Sequence, residues 1–522
     1  MAVVAGQRRD VEEPVPLDDR LTGPLASNMG VPAAGHLCSG RTVAPDRQRR
    51  TRHLKHPHGH PHGIRRVILL CCMTAVMLPA CRRSEQGASV EPAPPPNIVL
   101  IVVDTLRADR VGCFGADRAT TPAIDGLATD GVVFDRAYSV APWTMPSVAS
   151  ILTGLYPGAH GVDHISAVLP DQADTLAERL HRAGYNTTGI VSHVLLTRKF
   201  NFHQGFDTYL ESEARGHDYV STPGVVGQAE DALDKLTASP APFFLFIHLF
   251  DPHYNYKRHP QYGFSAPRQG RLDGTQSMHE LRTIRRTMTA PEIAYLRDIY
   301  DEEVRFTDDG IGRITEAIRK HGVYDKTAIL VTADHGEEFL ERGWIGHTVS
   351  LYNELVHVPL VLKLPDGRYA GTRLAAPISS VSITPTLLDL AGVGAHLALH
   401  GRSLQPLIAG AAAPPSTLYC EVDYDPPGRG GRAKRVRKKA VIAGDYKLIH
   451  DEYADTLELY NLGDDPKERH NLIEQDPKRA RDLTARLNTL AKRTHEAPTR
   501  TDDVELSKDD LETLRGLGYV GN

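Results

Sequence analysis

The run NIVLIVVDT, Asn97–Thr105, decides the fold class. Its apolar stretch is unbroken until Asp104, the pattern of a strand buried on both faces of a parallel sheet. Similar runs recur downstream: TTGIVS (187–192), FFLFIHLF (243–250), TAILVTADHG (327–336) and VPLVLKL (358–364). Between them, DTLAERLHRAGY (174–185), YDEEVRFTDDGIGRITEAIRKHG (300–322) and SITPTLLDLAGV (382–393) have helical spacing. Strands alternating with long helices predict an α/β core with a mostly parallel sheet. In such sheets ligand groups collect at the carboxyl ends of strands. Asp104, Asp251, Asp334 and His335 all fall at such ends, which periodicity alone does not require.

Past about Ile408 the texture changes. TLYCEVD, KAVIAGDYKLIH and LELYNL predict a small antiparallel sheet, and ARDLTARLNTLAKRT and KDDLETLRGLGY predict two closing helices. Five segments follow: an amino-terminal extension (1–64), a signal segment (65–81), a tether (82–96), a catalytic domain (97–410) and a carboxyl-terminal subdomain (411–522).

The extension lacks apolar periodicity and holds the His-rich run HLKHPHGHPHG, which reads as disordered linker or mis-assigned start. Arg65-Arg66 before VILLCCMTAVML and LPAC is the layout of a signal peptide, too short for a stable bilayer span. LPAC resembles a bacterial lipoprotein box, so Cys81 is expected to carry lipid and the chain to be exported to the periplasm or anchored in the outer membrane. Pro79 departs from the small residue usual there. Cleavage at Cys81 leaves Cys113 and Cys420 besides the anchor, no basis for a disulfide framework.

A formal charge of -5 on 522 residues argues against nucleic acid as a partner. The basic run Arg429–Lys439 reads as a solvated loop, with contact to an anionic substrate or membrane as the alternative.

APWTMPS (141–147) places the hydroxyl of Thr144 just ahead of a predicted helix starting at Pro146. Thr144 is therefore either a helix cap or a nucleophile. A Thr hydroxyl is a poor nucleophile at neutral pH and becomes usable when a divalent cation stabilises its alkoxide. Asp104 and Asp334 offer oxygen ligands for that ion, and His335 a neutral nitrogen. A helix start beside Thr144 favours both an alkoxide and a bound oxyanion.

At these residues the chain resembles the sulfatase branch of the alkaline phosphatase superfamily. The resemblance rests on NIVLIVVDTLRADRVGCFG, APWTMPSVASILTGLYPGAHGV, TAILVTADHGEEF, LFDPHYNY, GHTVSLYNELVHVPLVLK and GDYKLI, and runs from about Asn97 to Asn522. It implies a large α/β domain with a smaller α+β subdomain, one divalent metal (calcium, manganese or zinc), and a covalent nucleophile at Thr144. Asp104, Thr144, Asp334 and His335 match the metal set. His253 and His347 are the implied catalytic groups, with His160, His193 and Asp251 as candidate substrate contacts.

The departures are specific. Sulfatases head their C/S-x-P-x-R motif with a Cys or Ser that becomes formylglycine; here Thr144 stands there and Val148 replaces the Arg. His347 stands where many sulfatases have Lys, and Thr105 replaces the second Asp of the amino-terminal pair. No formylglycine is expected. A formylglycine hydrate expels sulfate through its second hydroxyl, which Thr lacks, whereas a phosphorylated Thr is resolved by in-line attack of water. The expectation is a metal-dependent hydrolase of phosphate mono- or diesters, its substrate an anionic glycan, lipid or small molecule. The alternatives are a true sulfuric ester hydrolase, a phosphoethanolamine- or phosphoglycerol-type transferase, and a non-catalytic glycan- or lipid-binding relic. Ser147 is a rival hydroxyl.

Overall fold

A computed structural model describes residues 94–522 except 217–218, 395–398, 414–415, 425–434, 497–498, 500 and 521–522. The extension, the signal segment with Cys81, most of the tether and much of the Arg429–Lys439 run lie outside the described residues. Among the described residues, no helix is long and apolar enough to cross a membrane.

Eight strands form the central sheet: β1 (Asn97–Val103), β2 (Val132–Phe134), β3 (Asn186–Ile190), β4 (Thr208–Leu210), β5 (Phe243–Leu249), β6 (Thr327–Ala333), β7 (Leu360–Lys363) and β8 (Thr372–Leu374). Their spatial order is β8-β2-β7-β6-β1-β5-β3-β4. The five strands from β6 to β4 are parallel; the apolar runs predict this for β1, β3, β5 and β6, whereas the three-residue β4 is an addition that no such run marks. VPLVLKL departs from that pattern: β7 runs antiparallel to both β6 and β2. Its run is apolar because it too is covered on both faces, and burial does not encode direction.

Every residue of β5 and β6 is buried, and β1 is buried from Ile98 onward. Flanking helices include α1 (Pro122–Thr129), α2 (Thr144–Thr153), α3 (Leu176–Arg182), α4 (Thr222–Thr237), α5 (Ala290–Lys320) and α6 (Ile383–Leu390). α5 extends ten residues ahead of the predicted Tyr300 because Thr289 and Glu292 form a capping box there. Deep in α5, the Asp308 carboxylate accepts the Ala123 and Ile124 N–H groups at 2.8 and 2.9 Å, tying α5 to the first turn of α1.

The carboxyl-terminal part forms the antiparallel sheet that its short strands predict: β9 (Thr417–Tyr424), β10 (Val436–Ala443), β11 (Tyr446–Asp451) and β12 (Thr456–Asn461), paired in order. α7 (Pro477–Thr494) covers it through Ala480, Leu483 and Leu487, and α8 (Lys508–Gly516) follows. A fully buried ion pair, Lys447 to Glu468 at 2.8 Å, holds this sheet to the body, since Lys447 also donates to Asn353 Oδ1 and Glu468 accepts the Asn353 N–H.

Candidate active site

Register places the first site residues. β1 pairs with β6 and β5 so that Val103 lies beside both Ala333 and Leu249. Asp104 and Asp334, each one step past its strand, therefore stand abreast at the carboxyl edge of the sheet. His248 pairs with Val102. Side chains alternate along a strand, so His248 shares the face of Asp104 and Asp334.

The backbone bends sharply there. Thr105 takes φ 55°, a left-handed conformation that is costly for a β-branched residue. Its N–H donates to Asp334 Oδ1 at 3.2 Å, and the His335 N–H donates to the same oxygen at 2.7 Å. Gly336 is required by close approach, because a Cβ there would meet the Glu354 carbonyl at 2.1 Å.

α2 begins at Thr144, ahead of the predicted Pro146, and its N-cap is Trp143, whose side chain makes no cap bond among the described residues. Thr144 is thus the first residue of the helix and not its cap. Its Oγ1 lies 3.3 Å from His335 Nε2 and 3.1 Å from the Tyr519 hydroxyl. The rival hydroxyl is committed elsewhere: Ser147 donates to the Asp334 carbonyl at 2.6 Å and lies 2.9 Å from Ser139 Oγ.

Asp104, Thr144, Asp334, His335, His193, His248 and His347 are each 0% exposed. Neither Asp104 oxygen, nor Asp334 Oδ2, nor either ring nitrogen of His248 meets a hydrogen-bond partner among the described residues. Buried polar atoms are seldom left that way. Burial, with Asp334 and Glu337 close by, pushes the Asp104 carboxyl well above the usual range. Burial also pushes Asp334 upward, but His335 and His248 outweigh it and hold that carboxyl below its ordinary value. Two carboxylates with unmatched oxygens beside imidazoles fit a divalent cation. Asp104, Asp334 and His335 present donor atoms within 4.8 Å of one another. His335 Nδ1 donates to the Gly336 carbonyl at 2.9 Å, which leaves Nε2 unprotonated in the neutral ring and able to ligate.

Asp104, His193 and His253 form a second such cluster, an acidic and imidazole set that the sequence does not reveal. His193 Nδ1 accepts the Leu195 N–H at 3.1 Å, so its neutral ring carries the proton on Nε2, 4.0 Å from Asp104 Oδ2. His193 is therefore built as a donor and not as a ligand. His253 donates from Nδ1 to the Tyr254 carbonyl at 2.8 Å. His347 is held through Nδ1 by Glu337 Oε1 at 3.0 Å and presents Nε2 to the Tyr519 hydroxyl at 3.2 Å. Burial, with His335 and Arg282 nearby, keeps the His347 imidazolium well below its ordinary pKa, and burial raises Glu337 to about 8.

Two predicted contacts lie outside this arrangement. Asp251 Oδ2 accepts the Thr222 N–H and hydroxyl at 2.8 and 2.7 Å and so secures the start of α4. His160 pairs with Ser150 Oγ at 2.9 Å and accepts the Val162 N–H at 3.1 Å, and burial lowers its pKa to about 3. It joins α2 to the loop after it. Conversely, sequence reasoning missed His248 and Tyr519. The signal for His248 was an imidazole interrupting an apolar strand; Tyr519 carried none, since only folding brings GLGY to Thr144.

The Sulfatase family model matches residues 96–393, more than half the chain. The chain belongs to the sulfatase family. A second match, N-sulphoglucosamine sulphohydrolase, C-terminal, spans residues 341–496. This sulfatase-family hydrolase is 24% identical over 496 residues to an N-acetylglucosamine-6-O-sulfatase of Bacteroides thetaiotaomicron, covering 78% of this chain and 87% of that one. A structure solved with D-glucosamine-2-N,6-O-disulfate superposes with a TM-score of 0.64 at 22% identity, over 77% of this chain and 98% of that one. The phosphonate monoester hydrolase of Agrobacterium radiobacter superposes with a TM-score of 0.63 at 21% identity, over 79% and 98% of the two chains.

Proposed function

We propose that this sulfatase-family hydrolase cleaves phosphate mono- or diesters through a covalent adduct on Thr144. The observation that carries the reading is a secondary hydroxyl at the start of α2, 3.3 Å from His335 Nε2 and beside Asp104 and Asp334, in place of a modifiable Cys or Ser. Thr144 Oγ1 releases its proton and attacks phosphorus, the ester P–O bond breaks, and the leaving alcohol takes up a proton. Water then attacks phosphorus, the bond to Oγ1 breaks, and phosphate or its monoester leaves.

A divalent cation bound by Asp104, Asp334, His335 and Thr144 would supply Lewis-acid charge for the developing alkoxide. His193, with its proton on Nε2, serves as a donor to a nonbridging oxygen. His253 and His347, two buried imidazoles with ring centroids 5.0 Å apart, are suited to move the protons of the alcohol and of water. The similar structures support an anionic ester substrate: one was solved with a sulfated sugar, and another is a phosphonate monoester hydrolase. The Arg65–Cys81 segment supports export and lipid anchoring, which loss of membrane retention in Cys81→Ala tests.

The experiment is a parallel assay of aryl phosphate, aryl phosphodiester and aryl sulfate, with intact-mass analysis of acid-quenched enzyme. Faster phosphate-ester turnover and a phosphoryl adduct mapping to Thr144 are expected. An adduct elsewhere removes the nucleophile claim. A second reading, sulfate ester hydrolysis, is favoured by the sulfatase names of relatives such as that of Bacteroides thetaiotaomicron. It requires aryl sulfate to be the faster substrate.

A further inference from the structure

We propose that His248 is itself a ligand of the cation, and that it selects a transition metal of the zinc class over calcium. The inference rests on the reading of Asp104, Asp334, His335 and Thr144 as the metal set.

The first support is burial without partners. His248 is 0% exposed in the middle of an otherwise apolar strand, and both its ring nitrogens lack hydrogen-bond partners among the described residues. A histidine kept for packing satisfies at least one nitrogen, as His160 and His357 do. An imidazole left wholly unmatched beside two carboxylates is placed for something else.

The second support is spacing. His248 Nε2 lies 3.8 Å from Asp104 Oδ2 and 4.0 Å from Asp334 Oδ2. His335 Nε2 lies 3.6 Å from Asp104 Oδ1 and 3.5 Å from Asp334 Oδ2. Thr144 Oγ1 completes the ring at 3.3 Å from His335 Nε2. The imidazole–carboxylate separations are too long for hydrogen bonds. They fall among the donor–donor separations of a five-coordinate shell, where donors about 2.1 Å from the ion stand about 3.0 to 4.2 Å apart. His248 approaches from the β5 side and His335 from the β6 side, so the two imidazoles flank the paired carboxylates.

The third support is the donor inventory. Thr105 stands beside Asp104 and offers a hydroxyl, not a carboxylate. With His248 included, the set is two carboxylates, two imidazoles and the Thr144 hydroxyl. Calcium prefers six to eight oxygen donors, whereas imidazole suits zinc and its neighbours. The extra imidazole makes good the missing carboxylate and changes the preferred metal.

The test reads metal, not turnover. Full-length enzyme produced with calcium, manganese and zinc all present should retain about one transition-metal ion per chain and no stoichiometric calcium. His248→Ala and the milder His248→Gln should weaken zinc binding by about 100-fold or more in chelator competition. Both should also alter the visible spectrum of the cobalt-substituted enzyme, with thermal melts establishing that the variants fold. Stoichiometric calcium in the wild type overturns the proposal. So do folded His248 variants with wild-type zinc affinity and an unchanged cobalt spectrum. Asp104→Asn separates the two failures: if it loses metal while the His248 variants keep it, the metal set stands and only His248 is excluded. If the wild type takes up no ion, the metal set fails with it.

Discussion

The Tyr519 hydroxyl lies 3.1 Å from Thr144 Oγ1 and 3.2 Å from His347 Nε2, bridging the proposed nucleophile to a buried imidazole. The bridge comes from the segment after α8, which is tied down along its length. Tyr254 donates to the Leu517 carbonyl, Arg282 Nη1 to the Gly518 carbonyl at 3.1 Å, and Tyr424 to the Tyr519 carbonyl. Trp143 packs against the Tyr519 ring at 6.1 Å, so the residue before Thr144 also positions the phenol.

Tyr519→Phe keeps that packing and deletes the hydroxyl. Steady-state kinetics should show kcat/KM reduced about tenfold, the equivalent of ~1.4 kcal/mol for one buried hydrogen bond. The melting temperature should change little. Unchanged kinetics would show that the bridge is incidental to turnover.

Thr144 can be tested by shape-conserving replacement. Thr144→Val retains the branched side chain at the start of α2 but offers no oxygen, and activity should fall about 1000-fold or more. Thr144→Ser keeps a hydroxyl and should keep measurable turnover, with the adduct mapping to the substituted position. A Val variant that still turns over would place the nucleophile elsewhere.

Asp251 gives the opposite signature. Its carboxylate caps α4 and is buried, so Asp251→Asn should lower stability by about 1–3 kcal/mol. Chemical denaturation would register that loss while kcat stays near wild type. A collapse of kcat at unchanged stability would restore Asp251 to the site.

Asp308 supplies a pH dependence. Burial raises its pKa from 3.8 to about 7, against the pull of the Ala123 and Ile124 N–H groups. Between these values the unfolded chain has released a proton that the folded chain retains. The contribution of Asp308 is therefore complete below about pH 4 and is lost as pH rises toward 7. Thermal melts at pH 5 and pH 8 should differ more for the wild type than for Asp308→Asn. An equal difference in the two proteins would show that Asp308 ionises alike in both states.

Sequence alone determined the elements that local patterning encodes. Apolar runs marked the buried strands of the central sheet but not their direction, and the polar residues ending two of them marked Asp104, Asp334 and His335. The motif around Thr144 placed a hydroxyl where a helix begins. Those signals are local, because strand burial and helix starts follow from neighbouring residues. Tertiary structure decided the rest. Register set Asp104, Asp334 and His248 on one face, and no spacing within a single strand reports register between strands. Asp251 and His160 had the composition of site residues, yet nearby Thr222 and Ser150 engage them. Tyr519 reaches Thr144 across 375 positions of sequence, a contact made by packing and invisible to any window of sequence.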